Sequence, residues 1–496
     1  MRKLFLVLLI FTSFYSIAQY STTFNDTLRL FGMGGDGFDN VLLDSNIYYV
    51  LGYIYDGNNS TPHITKINES GVVLNKRKYI DTNYNFAIYP YNSMVLKDSI
   101  LLFCGQKWDI SGTLGFITAV NKHTLDTLWS KTYSHPDTTI ANQPGSGQFS
   151  DLTAIKSTPD GGYILTGNYN KDCITGNLRS FLMKIDSVGN VEWRRTYSDV
   201  TGLFDIELAD DGGYYFLNPY GNNINKLAKT DSIGIIQWQK LINSGMTGWS
   251  TTSGLKRTNN NSIIGIRTFM YNNDISYPLM GANVFKIDLI SKQILWDKTY
   301  LLFNTVECIS LHQSVGVQTL PDGSIIVSGT AKNYGHDAVI LKLNSNGDSL
   351  WCKSYDFTPD PWDCQLNDLI ITDDGGFMGV GFFSDQGGSG WTAWMFKTDE
   401  NGVIGFETNE GRNNKAEVKS YPNPARDNTT IELSEYLTNT AALKVYNSLG
   451  QLVLQRPLNK GEKAIKLDLK GFEAGVYFFE VVEEDGVLGS GKFVRE

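Results

Sequence analysis

The chain has 496 residues, of which 41% are apolar, 12% aromatic and 19% charged, with 49 Gly and 13 Pro. That is too apolar and too weakly charged for a disordered chain, and it lacks the three-residue glycine period of collagen. A formal net charge of −10 argues against a nucleic-acid partner, which needs clustered Lys and Arg. Aromatic residues favour strands while Gly and Asn favour turns, so the mixture leans all-β.

At the N-terminus, Arg2 and Lys3 precede an apolar run from Leu4 to Phe11, and the stretch ends Ser16-Ile17-Ala18. A charged start, a short apolar run and a small-x-small site predict a signal peptide over residues 1–18. Residue 19 is Gln rather than Cys, which argues against acylation there. No later stretch is long and apolar enough for a membrane helix, so no span is expected after cleavage. The five cysteines, 104, 173, 308, 352 and 364, are odd in number and show no CxxC spacing. They read as small buried hydrophobes, with a Cys352–Cys364 pair as the alternative, and neither a metal site nor a cofactor is expected.

From about residue 24 to 405 one pattern recurs seven times, at about 55 residues per copy. A turn with Asp-Gly-Gly leads to a β-rich run ending in Gly. A variable stretch follows, then Lys-Ile-Asp, a Gly turn and Trp-x-Lys-x-Tyr. The third copy is the cleanest: Asp160-Gly161-Gly162, Lys184-Ile185-Asp186, Gly189, Trp193 and Tyr197. Four short β-runs per copy predict a seven-bladed β-propeller over residues 24–405, with an array of β-sandwiches as the alternative. Asp-Gly supplies the positive φ of tight hairpins. The alternating Lys-Ile-Asp run places Ile185, Ile287 and Leu343 on one side and the Lys residues on the other. The recurring Trp reads as packing between blades. Closure needs a seam. The segment Thr27 to Gly32 resembles the last strand of a copy and is expected to complete the seventh blade, with Val403 to Phe406 competing for that edge.

Residues 406–419 are polar and read as a linker, and residues 420–496 carry about seven short β-runs, which read as a small immunoglobulin-like β-sandwich. Tyr421-Pro422-Asn423-Pro424, Tyr446 to Gly450, Gly475 to Tyr477 and Lys492 to Val494 stand out within it. At these residues the module resembles the type A C-terminal sorting domain of the type IX secretion system of Bacteroidota. The resemblance implies a sorting signal carried by Tyr421, Pro422, Asn423, Pro424, Gly450, Gly475, Tyr477, Lys492 and Val494. It also implies passage through the periplasm, engagement of the type IX machinery, and a final place on the cell surface or in the medium. Arg495 and Glu496 depart slightly from the pattern by placing two charges after the terminal strand.

Strand order puts the two short turns of each copy at one end and the variable connections at the other. Six of the ten Trp lie in the repeated strands, while Trp108, Trp249, Trp362 and Trp391 fall in variable connections. Tyr271, His336 and Asp385 lie there too, as do Asp109, His135 and Asp172. Loops on a rigid scaffold carry function, and exposed aromatics beside carboxylates suit an extracellular glycan or protein ligand. The other reading packs these Trp under their own loops. A Gly32-x-Gly34-x-x-Gly37 match lacks a following helix, and no GxSxG, HExxH or Walker A spacing occurs. The expected function is therefore non-catalytic binding, with a polysaccharide hydrolase or lyase using carboxylates near the propeller axis as the alternative. Asp-Ser/Thr-aliphatic triplets such as Asp186-Ser187-Val188 resemble an O-glycosylation acceptor and also read as plain turn chemistry.

Overall fold

The computed structural model describes residues 23–404 apart from 29, 31–34, 58, 91, 135–147, 171–177, 198–199, 201, 221–223, 244–249, 259, 271–279, 301–315, 333–335, 356–363 and 385–390, together with residues 418–496 apart from 435, 448–451 and 484–485. The expected signal peptide and nearly all of the expected linker lie outside the described residues. Two compact bodies emerge, Met1–Gly405 and Phe406–Glu496. Every regular element among the described residues is a strand.

In the larger body each repeat is an antiparallel meander. The first runs Gly35–Asp44, Ile47–Tyr55, Ser60–Asn68 and Val73–Lys78, hydrogen-bonded in that order. The third to sixth repeats follow the same plan. The second breaks its first strand into Asn85–Ala87 and Met94–Lys97, both paired with Ile100–Asp109. The seventh has Cys364–Ile371, Phe377–Ser384 and Trp391–Lys397, and its fourth strand is Phe24–Leu28 from the other end of the chain. That closing strand begins three residues before the expected Thr27–Gly32 segment and overlaps it at Thr27 and Leu28. Asn25 Oδ1 accepts a 2.6 Å hydrogen bond from Trp394 Nε1, which fixes the register. Val403 instead closes a turn, its N–H donating to Asp399 Oδ1 at 2.7 Å.

An apolar cluster fills the space between every two consecutive repeats. One more joins the seventh repeat to the first, where Val41, Val50 and Ile67 meet Met378, Val380 and Met395. First strands of neighbouring repeats lie against each other, so they stand innermost. The result is a closed, β-propeller-like ring.

The repeated residues make the ring interlock. Lys184, Lys229 and Lys397 are buried rather than turned to solvent, because both faces of a sheet inside the ring are covered. Each ammonium is neutralised by the Asp of the Asp-Gly-Gly turn: Asp160 at 2.8 Å, Asp211 at 2.7 Å, and Asp374. The second glycine of the turn leaves room for that ammonium, since a Cβ on Gly162 would lie 2.5 Å from Lys184 Nζ. The carboxylate of Lys-Ile-Asp caps its own turn, with Asp186 Oδ1 accepting from Val188 N at 3.0 Å and Asn190 N at 2.7 Å.

Trp and Tyr of the outer strand then clasp the next repeat. Tyr197 Oη donates to the Gly234 carbonyl at 2.7 Å, as Tyr133 does to Gly189 and Tyr355 to Gly402, both at 2.8 Å. Trp193 lies on the same turn, 3.0 Å from where a Gly234 Cβ would sit, and its ring is 6.0 Å from that of Tyr214. Phe24 takes this place at the seam, against Gly71. Trp193 is half-buried. Trp193→Ala is expected to cost about 2–3 kcal/mol, less than a fully buried tryptophan, and a thermal melt unchanged by it would contradict the clasp.

The smaller body has two sheets. One orders Val418–Tyr421, Asn428–Leu433 and Ala464–Asp468, and the other Leu452–Leu458, Ala441–Tyr446, Gly475–Glu483 and Gly486–Arg495. Ile431, Leu443, Val445, Phe479 and Phe493 are among the residues of its core.

Candidate functional site

Buried polar side chains lie on the inner strands and just before them. Asp368 accepts from Leu369 N at 2.8 Å and from Val41 N of the next repeat at 3.0 Å. Asp205 accepts from Leu255 N of the fifth repeat at 2.7 Å and from Asn92 Nδ2 of the second at 2.9 Å. Asp151 accepts from Tyr89 Oη at 2.6 Å and Asn168 N at 2.7 Å. Asn40 donates to Ser93 Oγ at 2.7 Å. These groups bridge the inner strands, and three of the bridges, through Tyr89, Asn92 and Ser93, use the residues that interrupt the second repeat's first strand. Carboxylates so engaged are structural rungs.

Burial pushes the Asp151 carboxyl up to about 6, against the hydrogen bonds from Tyr89 and Asn168. Burial likewise pushes Asp368 up to about 7, against the bonds from Val41 and Leu369. Between about pH 4, where an unfolded Asp releases its proton, and these folded values, the folded chain holds protons that the unfolded chain has lost. Stability from these two groups therefore falls as pH rises from about 4 to about 7 and is flat above. A tenfold change in proton affinity corresponds to about 1.4 kcal/mol. The larger body is expected to melt at higher temperature at pH 5.5 than at pH 8, and Asp368→Asn should reduce that difference. A melting temperature that rises steadily over the same interval would contradict the assignment. At lower pH an opposite contribution enters. Burial opposes ionisation of Asp160, but Lys184, Thr158 and Gly162 N hold its carboxyl down at about 2.

A cavity of about 620 Å³ opens where the first strands of the third, fourth and fifth repeats reach their short turns. Lys156 pairs with Glu207 at 2.6 Å, and Arg257 pairs with Asp210 through both terminal nitrogens. Nothing in the sequence marks this group, because its members come from different repeats and share no spacing.

At the end with variable connections, Trp391 is 43% exposed. Its ring meets Tyr53 edge-on at 6.2 Å and Phe382 at 5.5 Å. Trp108 also stands at this end, half-buried, beside a tight turn. Asp109 serves that turn, its Oδ1 accepting from Ser111 N at 2.7 Å. His336 opens a strand opposite Lys332. Trp249, Trp362, Tyr271 and Asp385, with His135 and Asp172, lie outside the described residues. The structure thus places Trp108 and Trp391 at one end, on different repeats. Tyr53 and Phe382, which brace Trp391, were not among the residues expected from sequence. Cys104, Cys352 and Cys364 carry thiols, so the alternative Cys352–Cys364 pair does not form.

In the smaller body, Tyr-Pro-Asn-Pro fastens the terminal strand. Asn423 Nδ2 donates to the Lys492 carbonyl at 3.1 Å, and its Oδ1 accepts from Val494 N at 2.8 Å. Ser420 Oγ donates to the same Lys492 carbonyl at 2.9 Å. Tyr477 stacks on Phe493 at 5.4 Å and donates to the Glu473 carbonyl at 2.8 Å. Gly450 lies outside the described residues. Residues 419–494 match the family described as a secretion system C-terminal sorting domain. This module is a sorting domain of the type IX system. The sorting domain indicates export to the cell surface or the medium and a partnership with the secretion machinery. No helix among the described residues is long and apolar enough to cross a membrane.

No match is found among the curated proteins. Among solved structures, the chain is similar to an alpha-L-arabinanase of Penicillium chrysogenum complexed with arabinobiose, at 12% identity over 77% of this chain and 100% of that one, with a TM-score of 0.44. It is similar to an alpha-L-arabinofuranosidase of Fusarium graminearum at 13% identity, over 75% and 99% of the two chains, with a TM-score of 0.42. The Pan2 WD40 domain of Neurospora crassa matches at 10% identity, over 73% and 89%, with a TM-score of 0.41.

Proposed function

We propose that this is a Bacteroidota export substrate whose larger body, residues 24–405, is a seven-bladed β-propeller that binds an extracellular glycan or protein through the end bearing the variable connections. In this reading residues 1–18 are a signal peptide, 406–419 a linker and 420–496 an immunoglobulin-like sorting sandwich, and the chain crosses the periplasm before reaching the type IX machinery. Seven four-stranded repeats among the described residues, with an apolar cluster joining the last to the first, support the propeller.

The observation that carries the binding role is Trp391. A large indole held partly in solvent and braced by Tyr53 and Phe382 is a rigid platform with little conformational entropy to lose. The buried carboxylates of the inner strands accept hydrogen bonds that join one repeat to another, which favours binding over hydrolysis or elimination. The test is a glycan array probed with the mature chain from Gln19. Specific signals that drop about tenfold in Trp391→Ala are expected, as for an aromatic anchor. Depolymerisation of an arrayed polysaccharide would instead establish the enzyme, and a blank array would overturn glycan binding.

A further inference from the structure

We propose that the site at Trp391 takes a neutral oligosaccharide chain lengthwise, with consecutive sugar units lying on Trp391 and Tyr55 across the seam between the seventh and first repeats. The inference rests on the binding reading above and adds to it a ligand class and a second contact.

The two rings border one glycine. Gly35, the first residue of the first repeat's inner strand, stands directly opposite Tyr55, the last residue of the next strand. Residues opposite each other share a face of the sheet. A Cβ on Gly35 would point at Trp391, 3.3 Å from its backbone nitrogen and 3.6 Å from its ring atom Cε3. Trp391 therefore lies against the face that carries Tyr55, with no side chain from residue 35 between them. Two residues along, Gly37 stands opposite Tyr53, and a Cβ there would lie 3.2 Å from the Tyr53 ring. Trp391 and Tyr53 thus lie against the inner strand where it has only backbone. Making room for aromatic rings is a task for Gly37, the last glycine of the fingerprint-like run, that needs no dinucleotide.

Both platforms are open and held. Trp391 and Tyr55 are each 43% exposed. Tyr53 and Phe382 brace Trp391, while Tyr55 Oη donates to the Gly57 carbonyl at 2.9 Å, which orients its ring. Rings fixed in advance lose little freedom on binding, and their negative faces attract the C–H groups of a sugar. A single platform suits one terminal sugar, whereas two on either side of a bare backbone suit a chain.

Charge selects among chains. The segments that carry these rings, 35–40, 53–57 and 382–392, hold Asp36, Asp39, Asp56 and Asp385 but no Lys, Arg or His. They offer a uronate or sulfate no counter-charge. Asp36 and Asp39 are buried, the first accepting from Leu30 N at 2.7 Å and the second from Asn367 Nδ2 at 3.2 Å. Asp56 accepts from Asn59 N at 2.7 Å. These carboxylates serve the fold and its turn rather than an amino sugar, which leaves a neutral chain.

An array of neutral homo-oligosaccharides of one to six units, with their uronic and amino counterparts, tests this on the full mature chain. Signal is expected on a neutral series, rising about tenfold between one unit and four, the worth of one further aromatic contact. Tyr55→Ala should abolish that rise with the melt unchanged, because the ring is exposed, and Tyr55→Phe should keep it. Tyr55→Leu, apolar but without a ring, serves should Tyr55→Ala fail to fold. Trp391→Ala should lower the signal at every length. Equal signal at all lengths, or a rise that survives loss of the Tyr55 ring, overturns the inference and leaves the binding reading standing. Signals confined to the uronic or amino series overturn the neutral assignment. A blank array overturns the glycan reading and this inference with it.

Discussion

Deleting Phe24–Leu28 is expected to destabilise the larger body by several kcal/mol and to make the protein aggregate. The strand supplies the whole outer edge of the seventh repeat, from the Phe24–Lys397 pair to the Leu28–Ala393 pair. Without it, Trp391–Lys397 becomes an open edge, and unpaired strand edges recruit other chains. Trp394 is fully buried and donates to Asn25, so the deletion also exposes a large aromatic and strands its indole N–H. Burying such a side chain is worth about 3 kcal/mol or more before the backbone bonds are counted. Asn25→Ala isolates the smallest part and should cost about 1 kcal/mol, the net value of one hydrogen bond. Size-exclusion and thermal melting separate the cases. A deletion variant that elutes as the wild type does, with an unchanged melt, would show that the ring does not depend on this seam.

Much of this was legible because repetition amplifies weak signals. One Asp-Gly-Gly is only a turn, but a turn, a Lys-Ile-Asp run and a Trp that return, complete in some copies and worn in others, define a four-stranded unit. The offsets themselves carry the physics. The Asp of the turn and the Lys of the third strand (Asp160 and Lys184) are ion-pair partners, and Trp193 and Tyr197 grip the same glycine turn of the next repeat. Alternation separates the lysines from Ile185, Ile287 and Leu343 but does not say how wet their face is, and Lys184, Lys229 and Lys397 are buried there because a sheet between two others has no wet face. The break in the second repeat's first strand was also hidden. Residues 88–93 look like any strand-rich stretch, and only the structure shows Tyr89 and Asn92 reaching Asp151 and Asp205 of later repeats. Cavities were illegible for the same reason. Lys156, Glu207 and Arg257 meet at one end because three repeats converge there.

Removing residues 420–496 is expected to abolish appearance of the protein on the cell surface and in the medium, and to leave it in the periplasm with its larger body folded. The sorting domain has its own two sheets and its own core, so its loss removes no strand from the larger body. A finer variant asks which part of the module is read. Asn423 holds the terminal strand at Lys492 and Val494 through two hydrogen bonds, and Ser420 adds a third. Asn423→Ala should loosen that strand by about 1–2 kcal/mol, since each such bond is worth about 1 kcal/mol, without unfolding the sandwich around Phe479 and Phe493. If the machinery reads the ordered C-terminal strand, export of Asn423→Ala falls well below wild type while its periplasmic level rises. If it reads the Tyr-Pro-Asn-Pro side chains alone, Ser420→Ala, which weakens the same strand and leaves the motif intact, exports normally. Fractionation and immunoblotting of the medium, outer membrane and periplasm distinguish these outcomes, and undiminished secretion of the 420–496 deletion would remove the sorting role altogether.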